Sequence, residues 1–137
     1  MSDTSFSSQA ARLAIETVLS GTGGPFGAVI VKDGEVIGRG ANSVLKTGDP
    51  TCHAEIMAIR DAAARVGRDE MLKVIPTPEG MDDCLPERAR MLFGCEIYIN
   101  GAPCPMCMSA IYWARISKVH YGASLKDTAA IGFDHSF

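Results

Sequence analysis

Residues 95–121 read CEIYINGAPCPMCMSAIYWARISKVHY, and their order decides the fold. Residues 95–100 are a short apolar run containing Ile97, Tyr98 and Ile99, the composition of a buried strand. Residues 104–115 are predicted as a helix and residues 118–121 as a second strand. Working outward, residues 27–31 and 35–38 are two more apolar runs. The intervening Lys32-Asp33-Gly34 is hairpin chemistry, because Gly tolerates the positive φ of a tight turn. Before them, residues 5–19 pattern as an amphipathic helix, with Phe6, Leu13, Val18 and several alanines on its apolar side. Gly21, Gly23, Gly24 and Pro25 end it. Asp49-Pro50-Thr51 supplies a stop and a cap for a helix over residues 52–66. Residues 67–94 are the least regular part, with Pro76, Pro78 and Pro86 and a charged piece, 86–90, that could be a short helix. Residues 125–131 close the series as a last helix. Strands alternating with helices after a hairpin imply an α/β layered domain with a mixed sheet.

Composition sets the frame for function. The 137 residues suffice for one domain, 1–137, with an irregular insertion around residues 73–94. Hydrophobic residues at 47% and charged ones at 21% exclude a disordered chain. No apolar run reaches a membrane span, and the first residues lack the basic start and long apolar stretch of a signal peptide; a cytoplasmic location is expected. A net charge of −3 disfavours nucleic acid, whose binding relies on Lys and Arg releasing counterions. Five cysteines cannot all pair, so metal ligation, catalysis or core packing are the readings to weigh.

The residues that carry chemistry lie at two predicted helix starts, Cys52-His53-Ala54-Glu55 and Pro103-Cys104-Pro105-Met106-Cys107. Cys104 and Cys107, three apart, share a helix face, and a helix N-terminus favours thiolates. Two thiolates with His53 suit Zn²⁺, and three protein ligands leave the fourth tetrahedral position for water. Glu55 is then placed to take a proton from that water and deliver it to a leaving nitrogen. The two-residue spacing of His53 and Glu55 spans about 200° of regular helix, so both reach one site only if the helix start presents them. A redox dithiol needs neither His53 nor Glu55. A structural zinc site needs a fourth ligand, for which Cys52, Cys84, Cys95 and His120 are available. With both motifs present, Cys52, Cys84 and Cys95 read as packing residues and His120 as a satisfied interior or edge histidine. H-x-E with P-C-x-x-C is a known signature of zinc nucleobase deaminases.

The stretches GGPFGAVIVKDGEVIGRGAN (23–42), DPTCHAEIMAIRDA (49–62), PCPMCMSAIYWARISKVHYGA (103–123) and GFDHSF (132–137) together make the chain resemble the cytidine/deoxycytidylate deaminase superfamily. Within it, the chain is most similar to bacterial guanine deaminases and related free-nucleobase deaminases. The resemblance implies a three-layer α-β-α sandwich with helices on both faces of a mixed sheet. It implies one zinc per chain on His53, Cys104 and Cys107, with Glu55 shuttling protons. Asn42 would hydrogen-bond the base, the Ala54 N–H would hold its exocyclic carbonyl, and Phe26 would lie beneath the ring. Trp113 would line the pocket or a subunit contact, and a homodimer is expected. Asn42 is also a good turn residue, and Phe26 and Trp113 could equally be core.

The chain departs from the family pattern in several places. Ala102 stands where a Glu usually precedes the proline. His135 stands where guanine deaminases carry a second acid, a donor in place of an acceptor within the expected base-binding set. Residues 73–94 lengthen the connection between His53 and Cys104. The chain stops at Phe137, where relatives often continue into a tail that closes the site. The implied reaction is hydrolytic deamination of a free nucleobase, guanine to xanthine plus ammonia. The alternatives are a cytosine-type pyrimidine or aminotriazine substrate, a tRNA adenosine deaminase, and an inactive zinc-binding module.

Overall fold

The structure, a computed structural model, describes residues 5–65 and 91–132. The hairpin forms where its turn chemistry puts it: Asp33 and Gly34 have φ of 51° and 79°, the left-handed pair that a type I′ turn needs. Strands β1 (Gly27–Lys32) and β2 (Glu35–Ala41) run antiparallel from this turn, with a register shift between Ile30 and Val31. β2 runs past the expected end at Gly38 to Ala41. Strand β3 (Cys95–Gly101) pairs antiparallel with β1, and β4 (Lys118–Ala123) pairs parallel with β3. The sheet is therefore mixed, in the order β2-β1-β3-β4.

Alternation along β1 sends its side chains to two helical layers. Gly27 faces helix α1 (Phe6–Leu19), where an added Cβ would strike the Ala10 carbonyl and sit 2.7 Å from the Leu13 Cβ. Helix α1 is capped by Ser5, whose Oγ accepts the Ser8 N–H at 3.1 Å, and its Phe6 ring lies 5.2 Å from that of Tyr98 on β3. On the opposite face Ala28, Ile30, Ile97 and Ile99 join Ile111 of helix α4 (Pro105–Ala114) in one buried cluster. Helix α3 (Ala54–Arg65) completes that cluster with Ala54, Ala58 and Ala62, one stripe of small residues fully removed from solvent. Opposite that stripe stand Gly38 and Gly40 of β2. A Cβ on Gly38 would come within 2.6 Å of the Ala62 Cβ, and one on Gly40 would run into the α3 backbone at Ala58 and Ala54. Alanine facing glycine brings α3 down onto the sheet, which sets the height of its first turn.

Some boundaries differ from the sequence expectation for local reasons. The second helix starts at Ala54 instead of residue 52. The His53 N–H bonds the Thr51 carbonyl at 2.8 Å, a tight turn, and the His53 carbonyl then accepts the first helical bond, from Met57. A single-turn helix α2 (Val44–Thr47), ended by Gly48 at φ 74°, was not legible. Leu92, inside the stretch read as irregular, is a fully buried core residue whose N–H donates to the Ala114 carbonyl at 2.7 Å. The short helix expected over residues 86–90, with Pro76, Pro78 and Cys84, lies outside the described residues. Helix α5 (Leu125–Ala130) follows β4. No helix among the described residues is long and apolar enough to cross a membrane.

Candidate active site

The carboxyl end of β3 collects the chemistry. Asn100 and Gly101 end that strand and lead through Pro103 to Cys104. Because β1 runs antiparallel to β3, its first residue, Gly27, and the preceding Phe26 lie at the same end. The last residue of β2, Ala41, pairs with Gly27, so Asn42 lies there too. Ligands of open α/β sheets bind outside strand carboxyl ends of this kind.

Two helix starts meet above this end. Cys104 is the N-cap of α4, in extended conformation, and its side chain makes no capping hydrogen bond. Cys107 follows one turn later, fully buried. His53 stands immediately before α3, half-buried. Its Nδ1 lies 3.5 Å from the Cys104 Sγ and 3.5 Å from the Cys107 Sγ. The three ligand atoms lie within 4.8 Å of one another.

That spacing tests the donor set. Zn–S bonds of about 2.3 Å and a Zn–N bond of about 2.0 Å at tetrahedral angles hold sulfur and nitrogen about 3.5 Å apart. One imidazole nitrogen equidistant from two sulfurs at that separation fits a single tetrahedral ion. Burial pushes the Cys107 thiol well above its ordinary range, and the neighbouring Glu55 and Cys104 push it further. The charge of a bound cation reverses this by favouring thiolate. The residues therefore fit zinc.

Glu55 sits in the first turn of α3 with 5% of its surface exposed. The Cys107 thiol and the Glu55 carboxyl group act on each other's ionisation at close range, which places the carboxyl group beside the ligand set. The spacing difficulty is resolved because His53 precedes the helix: only Glu55 obeys helical geometry. Burial raises the Glu55 pKa, opposed by its own backbone N–H and the Cys107 thiol. Ala54, fully buried, belongs to the first turn, whose N–H groups have no acceptor within the helix.

The expected base-binding residues divide. Phe26 packs half-buried against the core cluster. Asn42 is buried, its N–H donates to the Phe26 carbonyl at 3.0 Å, and its Oδ1 accepts the Val44 N–H at 3.1 Å. The turn reading of Asn42 is thereby met. The side-chain oxygen serves the turn, while the Nδ2 hydrogens meet no acceptor among the described residues. Trp113 lies on the outer side of α4, 66% exposed and edge-on to Tyr112, with the Arg115 guanidinium over both rings. His135 lies outside the described residues. Cys52 and Cys95 are buried free thiols outside the cluster. His120 is satisfied by Glu96 at 2.8 Å and stacks on Tyr98. Two polar residues escaped the sequence reading. The buried Thr17 donates to the Asn42 carbonyl, and Asn100 bonds the backbone on both sides of Phe26. The available signals were a threonine in the apolar stripe of α1 and an amide closing an apolar strand.

Known proteins are similar to this chain in sequence and fold. The guanine deaminase of Bacillus subtilis is 44% identical over 137 residues, covering 100% of this chain and 74% of that protein. Its crystal structure superposes with a TM-score of 0.76 at 43% identity, over 95% of this chain and 69% of that one. A structure of guanine deaminase from Nitrosomonas europaea gives a TM-score of 0.72 at 27% identity, over 96% and 64% of the two chains. A tRNA-specific adenosine deaminase of Aquifex aeolicus is 37% identical over 99 residues, which cover 72% of this chain and 52% of that protein. Residues 1–123 match the cytidine and deoxycytidylate deaminase zinc-binding region, so the chain belongs to that deaminase family.

Proposed function

We propose that the protein hydrolyses guanine to xanthine and ammonia. The observation that carries the reading is the buried Glu55 carboxyl group held against a Cys₂His cluster with tetrahedral spacing. A purely structural site would have no use for it. Likeness to a guanine deaminase over the whole chain favours guanine over adenosine in tRNA.

Zinc, when bound by His53, Cys104 and Cys107, supplies Lewis acidity and brings the pKa of water close to neutral. Glu55 takes one proton from the attacking water and passes it to the ring nitrogen beside the amino-bearing carbon. It takes the second proton as the C–N bond breaks and gives it to the departing amine, so that ammonia leaves and Glu55 returns to its starting state. Phe26 offers an apolar face to the planar base, and the Nδ2 hydrogens of Asn42 offer a donor to it. The Ala54 N–H holds an exocyclic carbonyl. His135 is assigned to substrate handling by its place in GFDHSF.

The protein acts as a cytoplasmic homodimer in this reading. Exposed Met108, Tyr112 and Trp113 along α4 supply an apolar contact surface. Sedimentation showing a monomer at micromolar concentration would refute that assembly. The activity itself is tested by measuring ammonia release from guanine, cytosine, an aminotriazine and a tRNA substrate. Guanine should be the preferred substrate, and preference for any of the others would overturn the assignment.

A further inference from the structure

We propose that Asn100 is a positioning residue for the base, acting through Phe26 from the opposite face of the sheet. The inference rests on the reading that Phe26 lies beneath the substrate ring. Asn100 follows Ile99, the β3 partner of Ala28, and by alternation faces the α1 side, where it borders a groove lined by Ala11, Ala14 and Pro25. Its Oδ1 accepts the Gly27 N–H at 2.9 Å, and its Nδ2 donates to the Pro25 carbonyl at 2.8 Å. One carboxamide thus clasps the backbone immediately before and immediately after Phe26. A backbone N–H on one side and a carbonyl on the other leave no ambiguity in the orientation of the amide.

The consequence follows from alternation along the strand. Gly27 faces α1, whereas Phe26 packs with Ala28 and Ile30 on the face of the zinc ligands. Asn100 therefore holds the peptide from behind while the ring projects forward. The Phe26 carbonyl in turn accepts the Asn42 N–H, so the clasp also sets the second base-binding residue. Asn100 is four residues before Cys104 on the same strand exit. It therefore ties the wall that holds the base to the segment that carries a metal ligand. Cutting the tie should loosen the base without disturbing the ligands, and loose positioning is costly in enzymes.

The test is steady-state kinetics with guanine on Asn100→Ala, Asn100→Asp, Phe26→Ala and the Phe26/Asn100 double alanine variant, with zinc content measured on each. Asn100→Ala should raise KM about tenfold, with kcat changed far less and one zinc per chain retained. Asn100→Asp keeps the acceptor for Gly27 and should fall between wild type and Asn100→Ala; it also serves if the alanine variant does not fold. The double variant should lose clearly less than the two single effects combined, since Asn100 acts in large part through the Phe26 ring. A KM unchanged in both Asn100 variants would overturn the proposal, as would additive effects in the double variant. If Phe26→Ala itself leaves KM unchanged, the placement of Phe26 beneath the base fails, and the role of Asn100 fails with it.

Discussion

Keeping Glu55 at 5% exposure raises its pKa by desolvation, a cost that its own backbone N–H and the nearby Cys107 thiol only partly offset. A folding requirement does not explain that arrangement; the proton-transfer role proposed for Glu55 would. The other polar and sulfur groups of the sheet show the contrast. Cys95 is equally buried, and its thiol is likewise pushed up by burial, but it lies outside the ligand cluster and simply packs. His120 pairs with Glu96 on a partly exposed sheet face, away from the site. Exposed pairs of this kind contribute little. His120→Ala should therefore change unfolding free energy by no more than about 1 kcal/mol and leave guanine turnover intact. Urea denaturation and an activity assay check it, and a large loss of activity would mean that the histidine takes part in the site.

The α3 helix is placed by small residues. Ala54, Ala58 and Ala62 fit against Gly38 and Gly40 so closely that any side chain on Gly40 meets helix backbone. Gly40→Ala should lower stability by about 2–3 kcal/mol through overpacking, measured by urea unfolding. It should also reduce activity, because the first turn of α3 carries Glu55 and follows His53. The same packing explains what could be read from sequence. The hairpin was legible because Asp33-Gly34 has turn chemistry of its own, and β3, α4 and β4 were legible from runs of apolar residues. The full length of β2 was not, since Gly38 and Gly40 look like strand breakers until the helix above them is known. The exact start of α3 was hidden because a turn at Asp49–His53 and a helix start share the same residue preferences. The metal ligands stood out by residue type and spacing. Asn100 did not, because its partners Pro25 and Gly27 lie more than seventy residues away in sequence.

At the scale of the molecule, separate segments converge at one end of the sheet: the loop before β1, the end of β2, the start of α3 and the exit of β3. An ion shared by His53, Cys104 and Cys107 fastens α3 to α4 and stabilises the folded chain by binding it in preference to the unfolded one. Chelation should lower Tm by about 5 °C or more, with zinc restoring it, in thermal unfolding followed by circular dichroism. No shift on chelation would show that the three residues do not share an ion. In the proposed mechanism Glu55 moves the protons and the other three residues bind the ion, and these two properties separate in one variant. Glu55→Gln, assayed for xanthine and ammonia from guanine alongside its zinc content, should retain one zinc per chain while losing about a thousandfold in turnover. Turnover close to wild type in that variant would contradict the account.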